Sequence, residues 1–162
     1  MSGGVRNVRV NNCTFMGTAV GLRFKSTRGR GGVVEKIYVS NVRMEDITGD
    51  AINFNLYYSP GSPLSETGET NPPPVTVGTP QFRDIHLEHI ICRGAQTAIM
   101  LEGLPEMPLH DITLKNVSIT AQNGVSVTDA ADVRFENVQV ANQTGPQLSK
   151  VRVKNSSLEL SK

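Results

Sequence analysis

Arg23 and Lys25 stand two residues apart in the stretch GLRFKSTRGRGG, with Leu22 before them and Phe24 between. In an extended chain successive side chains point to opposite sides, so this order sends both cations one way and both apolar groups the other. Two cations side by side suit an anion: a guanidinium grips a carboxylate in two places, and an ammonium adds charge without demanding geometry. Acids that could act beside them are harder to find. Asp46 and Asp50 fall in a turn, and Asp84, Asp111 and Asp132 share a position just before an apolar strand, which reads as turn chemistry. Glu102 is on the outward side of a later strand with no second carboxyl paired to it. His86, His89 and His110 show no metal-ligand spacing with acids or cysteines, so no metal or other cofactor is expected.

What positions the two cations is an internal repeat. Six segments align: VRNVRVNNCTF (5–15), VEKIYVSNVRM (34–44), FRDIHLEHIIC (82–92), LHDITLKNVSI (109–119), AADVRFENVQV (130–140) and LSKVRVKNSSL (148–158). Each has an apolar-x-apolar strand core, and two residues later comes Asn12, Asn41, His89, Asn116, Asn137 or Asn155. Asn tolerates the left-handed backbone region, so the column predicts a turn whose stacked amides form a ladder. After each of the first four segments a second alternating strand follows: GLRFK (21–25), AINFN (51–55), AIMLE (98–102) and GVSVT (124–128). Leu22/Phe24, Ile52/Phe54, Ile99/Leu101 and Val125/Val127 would face inward. Arg23/Lys25, Asn53/Asn55, Met100/Glu102 and Ser126/Thr128 would face outward. First and second strands are separated by 14, 15, 14 and 13 residues, while whole repeats vary much more. Constant half-turns with variable connections describe a coiled β-solenoid. A leucine-rich repeat fits less well, because its Asn comes one residue later and no helical segment follows. The expected fold is therefore all-β, a parallel β-helix of about five to six rungs, read as one β-helix over 1–162. A Pro-rich excursion over 59–80 interrupts it.

The bulk numbers agree with a repetitive architecture. The chain has 162 residues, 38% of them hydrophobic and only 5% aromatic, which makes a lean core of small layers. A formal charge of +1 predicts no general attraction to nucleic acid or an anionic membrane. No apolar run approaches the roughly 18 residues of a membrane span, and MSGGVRNV has no signal-peptide core. Cys13 and Cys92 fall on core positions two rungs apart, too far for a disulfide.

The stretch from GGVRNVRVNNCTF through GLRFKSTRGRGG to SNVRM resembles glycoside hydrolase family 28, the polygalacturonases and their relatives, at their Arg-x-Lys motif. YYSP, CRGAQTAIMLEGLPEM and DITLKNVSIT resemble bacterial members too, so the likeness covers nearly the whole chain in order. It implies a right-handed parallel β-helix, hydrolysis of α-linked galacturonic acid in pectin, and secreted or periplasmic full-length relatives. By the same resemblance Arg23 and Lys25 contact the substrate carboxylate beside the scissile bond. Tyr58 stands near a substrate-contacting tyrosine of the family, with Tyr57 adjacent and not distinguished from it. Asn53 and Asn55 are candidate partners for sugar hydroxyls, or else solvated strand positions. Arg28 and Arg30 read as solvated loop arginines.

The family's acids sit in Asn-Thr-Asp and Asp-Asp motifs followed by Gly-His-Gly, and none of these occurs in this chain. The expectation is thus a C-terminal portion of a polygalacturonase-like hydrolase, without catalytic residues and inactive alone, whose partner is an acidic pectic polysaccharide. The alternatives are a non-catalytic solenoid binding acidic polysaccharide and a purely structural or interaction β-helix. A first coil of mid-solenoid type exposes strand edges and core side chains, which predicts self-association through the N-terminal rung, as a dimer or an aggregate. Light scattering at high protein concentration checks this, and a clean monomer removes it.

Overall fold

The computed structural model describes residues 3–57 and 72–161. Among them there is no helix, and none long and apolar enough to cross a membrane. The strands are β1 (Val5–Met16), β2 (Leu22–Lys25), β3 (Val33–Asn55), β4 (Gln81–Glu102) and β5 (Leu109–Lys154). All named pairings are parallel, in the order β1-β3-β4-β5, with β2 also on β3. This is a parallel β-helix, each long strand a bent coil laid on the one before it.

The bends are made by residues in the left-handed region. Asn12, Asn41, His89, Asn116 and Asn137 all have φ between 53° and 57°, so these five positions of the aligned column are a corner; Asn155, at φ 47°, is left-handed too but does not stand over Asn137. A second corner lies five residues earlier, at Asn7, Lys36, Asp84, Asp111 and Asp132, with φ of 52–59°. Left-handed backbone costs an ordinary L-residue about 1–2 kcal/mol, and Asn and Asp relieve part of that by bonding locally. The amide ladder is built in part. Asn137 Nδ2 donates to Asn116 Oδ1 at 2.9 Å, and Asn116 Nδ2 donates to His89 Nε2 at 3.2 Å. At the β1 end the ladder slips by one residue, and Asn41 Nδ2 donates to Asn11 Oδ1 at 2.9 Å.

Between corners the alternation holds as expected. Ile37, Val39, Ile85, Leu87, Ile112, Leu114, Val133 and Phe135 are buried. In register, Ile37 meets Val8 and Ile85, and Ile85 meets Ile112. Cys13 and Cys92 are both free, and Val42 and Met44 respectively separate them from the other's rung. Cys92 is buried, which pushes its thiol up to about 11.

The sixth aligned segment is a correction. Arg134 bridges Ser157 and Val138 bridges Leu160, so 156–160, not 148–153, lies over 133–138. Leu148 stands 15 residues after Val133, which is the half-turn spacing of the other coils, and Arg152 reaches Asp129 just beyond the second strand GVSVT. LSKVRVK is therefore a second strand. Both strand types alternate, and Arg152 and Asn155 are left-handed as corner residues are elsewhere, so local pattern could not tell them apart. The excursion expected over 59–80 lies outside the described residues up to 71. Its end is tied down where Gly29 and Gly31 each donate a backbone N–H to the Gly78 carbonyl at 2.9 Å.

The corner column yields a graded test. Asn116→Val puts a β-branched residue at φ 53° and removes the ladder, and is expected to lower unfolding free energy by about 2 kcal/mol. Asn116→Gly keeps the backbone region and is expected to cost less than half as much. Urea unfolding of both variants measures the ranking, and equal losses would mean that the corner conformation is not what Asn116 supplies.

Candidate functional site

Strand β2 is fixed from its apolar side. Leu22 is buried, and Phe24 stacks on Phe54 with centroids 4.2 Å apart and planes 16° off parallel. Phe54 in turn meets Phe82 edge-on at 6.4 Å. Such ring pairs add about 0.5–1.5 kcal/mol beyond the area they bury. Gly21 leads into the strand where a Cβ would collide with the Ala51 carbonyl and Met44 Sδ. Its N–H donates to the Asp50 carbonyl at 3.0 Å, and at the other end Ser26 N–H donates to the Asn55 carbonyl at 3.0 Å. Anchored this way, the strand carries Arg23 and Lys25 on its exposed face.

The register extends that face across the coils. Arg23 pairs with Asn53, Asn53 with Met100 and Met100 with Ser126; Lys25 pairs with Asn55, Asn55 with Glu102 and Glu102 with Thr128. Four residues singled out from the sequence, Arg23, Lys25, Asn53 and Asn55, thus share one face on neighbouring rungs. Asn53 is buried, however, at 8% exposure. Its Nδ2 donates to Asp50 Oδ2 at 2.5 Å and approaches Met100 Sδ at 3.6 Å. It braces the face and is not a solvated position. Asn55 Oδ1 accepts from the Tyr57 N–H at 2.7 Å, turning the chain out of the strand. Tyr58 lies outside the described residues. Tyr57 is buried, its ring 5.2 Å from the Arg28 guanidinium carbon.

Arg28 corrects the reading of a solvated loop arginine. Its Nε and an Nη donate to the two oxygens of Glu106, at 2.6 and 2.9 Å, across a separation of 78 residues. The Glu106 side chain is only 4% exposed. Burial pushes its carboxyl up, but the hydrogen bonds from Arg28 and from its own backbone N–H, with the Arg28 charge, outweigh this and hold it below the usual carboxylate range. This pair ties the turn after β2 to the loop after β4. No sequence signal marked it, because each partner stands in a turn with no local motif.

A second pair was also missed. Asp129, 2% exposed, accepts from Arg152 Nε and an Nη at 2.5 and 2.6 Å. It lies next to Thr128, the register partner of Glu102. Burial, and then the charge of Asp129, raise the Glu102 carboxyl above its ordinary range.

Two cavities frame these features. One of about 360 Å³ opens at the β1–β2 end among Val5, Val8, Val10, Phe24 and Phe82, with Arg23 and Lys25 among its lining residues. A larger groove of about 680 Å³ runs beside Asp46, Gly94, Thr120 and Asn142, away from the cations. Among the described residues, no three His, Cys, Asp or Glu side chains gather as a metal site.

Comparison with known proteins gives two matches. The model of the family described as glycosyl hydrolases family 28 matches residues 2–142. A probable polygalacturonase of Vitis vinifera is 28% identical over 119 residues, 74% of this chain and 22% of that protein. The chain thus spans about a fifth of the length of that curated relative. No solved structure matches.

The Arg28–Glu106 pair carries a pH-dependent prediction. Arg28→Ala leaves a buried carboxylate without its cation and is expected to cost about 2–3 kcal/mol near neutral pH. A carboxyl held low by folding stabilises fully above its unfolded value of about 4.3, and that share is lost as pH falls through the folded value. The gap in melting temperature between wild type and Arg28→Ala should therefore narrow as pH drops below about 4. A gap that stays constant on acidification would remove the pair as its cause.

Proposed function

The chain belongs to glycosyl hydrolases family 28, and from that premise we propose that it is the uronate-binding part of a polygalacturonase-type enzyme. Arg23 and Lys25 bind the carboxylate of a pectic galacturonate unit, and the acids that cleave the bond lie outside this chain. The observation that carries the reading is the placement of the two cations: both exposed, side by side on a strand whose other face is locked by Leu22 and the Phe24–Phe54 stack. Galacturonate carries one fixed negative charge per sugar, and a hydrogen bond to a charged group contributes about 1.5–3 kcal/mol. Asn55 adds an amide on the adjoining rung, and Asn53 braces the pair's strand from below.

Support for the division of labour comes from the sequence and the site together. NTD, DD and GHG are all absent from the chain. Inverting hydrolysis needs two carboxyl groups about 6.5–9.5 Å apart across the sugar, one as acid and one activating water. Asp50 is spent on Asn53, Glu106 on Arg28 and Asp129 on Arg152. Asp84, Asp111 and Asp132 occupy corners. Binding without cleavage is what this set of residues provides.

Calorimetric titration with oligogalacturonate tests the proposal. Wild type should bind, Arg23→Ala and Lys25→Ala should each weaken binding by about tenfold or more, and Arg23→Lys should restore only part of it. No reducing sugar should be released from polygalacturonate. Unchanged affinity in Arg23→Ala, or sugar release that Lys25→Ala abolishes, would overturn the reading.

A further inference from the structure

We propose that Glu102 makes this face selective along its length: a charged uronate is held at Arg23 and Lys25, and an uncharged unit, such as a uronate methyl ester, is preferred two rungs on. The inference rests on the uronate-binding reading and deepens it. Its basis is the register. Lys25, Asn55 and Glu102 form one outward column, and rungs about 4.8 Å apart put the carboxyl end of that column roughly 10 Å from its ammonium end. An ion pair at that distance is out of reach, so the column presents opposite charges at its two ends to a polymer lying along the axis.

Glu102 is half-buried, and among the described residues no side chain gives it a hydrogen bond or an ion pair. The groups facing it can be named element by element. From β2 there is Lys25 at two rungs, and from β3 Asn55, with Asp50 held by Asn53. From β5 there are Thr128, Asp129 and Arg152, and the last two are engaged with each other in a bidentate pair. In the loop after β4, Glu106 holds Arg28. The nearest cations at this end are thus committed to other carboxylates, and the nearest acid, Asp129, adds negative charge. A second ionised uronate arriving here meets like charge in a half-desolvated setting. A methyl ester does not, and its carbonyl and ether oxygens accept hydrogen bonds from the Asn55 amide. When Glu102 takes a proton its repulsion ends, and its hydroxyl can donate to a uronate. Burial and the Asp129 charge raise this carboxyl, so that change comes at a higher pH than for an ordinary glutamate.

Calorimetry with two probes of equal length, a fully de-esterified oligogalacturonate and a partly methyl-esterified one, tests this at constant ionic strength. At about pH 7.5 wild type should bind the esterified probe about threefold to tenfold more tightly. That preference should shrink near pH 5, where free uronates remain mostly ionised. Glu102→Gln, with an unchanged melting temperature, should bind both probes alike at both pH values. A preference that survives in Glu102→Gln, or a wild type that favours the de-esterified probe at pH 7.5, overturns the proposal. The underlying reading fails in a different way, with neither probe depending on Arg23, and this inference falls with it.

Discussion

Everything in this molecule depends on the register between stacked parallel coils. A coil that slipped by one residue would turn every inward side chain outward. The corners prevent the slip. Left-handed residues recur at five-residue intervals, as at Asn7 and Asn12, Lys36 and Asn41, Asp84 and His89, Asp111 and Asn116. Because each corner holds the same backbone geometry on successive rungs, the straight segments between corners have matching lengths and line up residue for residue. The apolar columns then bury themselves, and the connections between coils are free to vary.

The same constraint turns a one-dimensional alternation into a surface. A residue's function on this face comes from the column it belongs to, more than from its neighbours in the chain. Lys25 and Glu102 are 77 residues apart in sequence, yet they occupy the same column through Asn55. The aromatic contacts of Phe24, Phe54 and Phe82 matter for the same reason. They fix the strand from inside, so that the outward charges are held in place; under the proposed uronate-binding role, little binding free energy would be spent on ordering the site.

At the margins of the face, Arg28 and Arg152 each hold a buried carboxylate, Glu106 and Asp129. Pairs of this kind stabilise mainly by not being broken, since removing either partner leaves a charge with poor solvation. They connect loops and strands far apart in sequence and border the exposed cations without supplying free acid. Family membership and this distribution of charge point the same way. Under the proposed function, this portion of the fold would be the part that holds an acidic sugar.

The sequence by itself determined the periodic part. Alternating apolar residues, the Asn column and the near-constant half-turn were enough to predict a parallel β-helix, its inward and outward sets, and the adjacency of Arg23 and Lys25, because all of these follow from local backbone geometry repeated along the chain. Local pattern failed where two solutions look alike. LSKVRVKNSSL reads as a first strand, and only its spacing from Val133 and its contacts show it to be a second one. Tertiary structure alone decided the non-periodic part: that Asn53 is buried against Asp50, that Arg28 is bound to Glu106, and that Asp129 is bound to Arg152. These pairings join turns and strand ends whose separations obey no repeat. Their geometry is set by how the loops fold back over the coils, and no neighbouring residue records it.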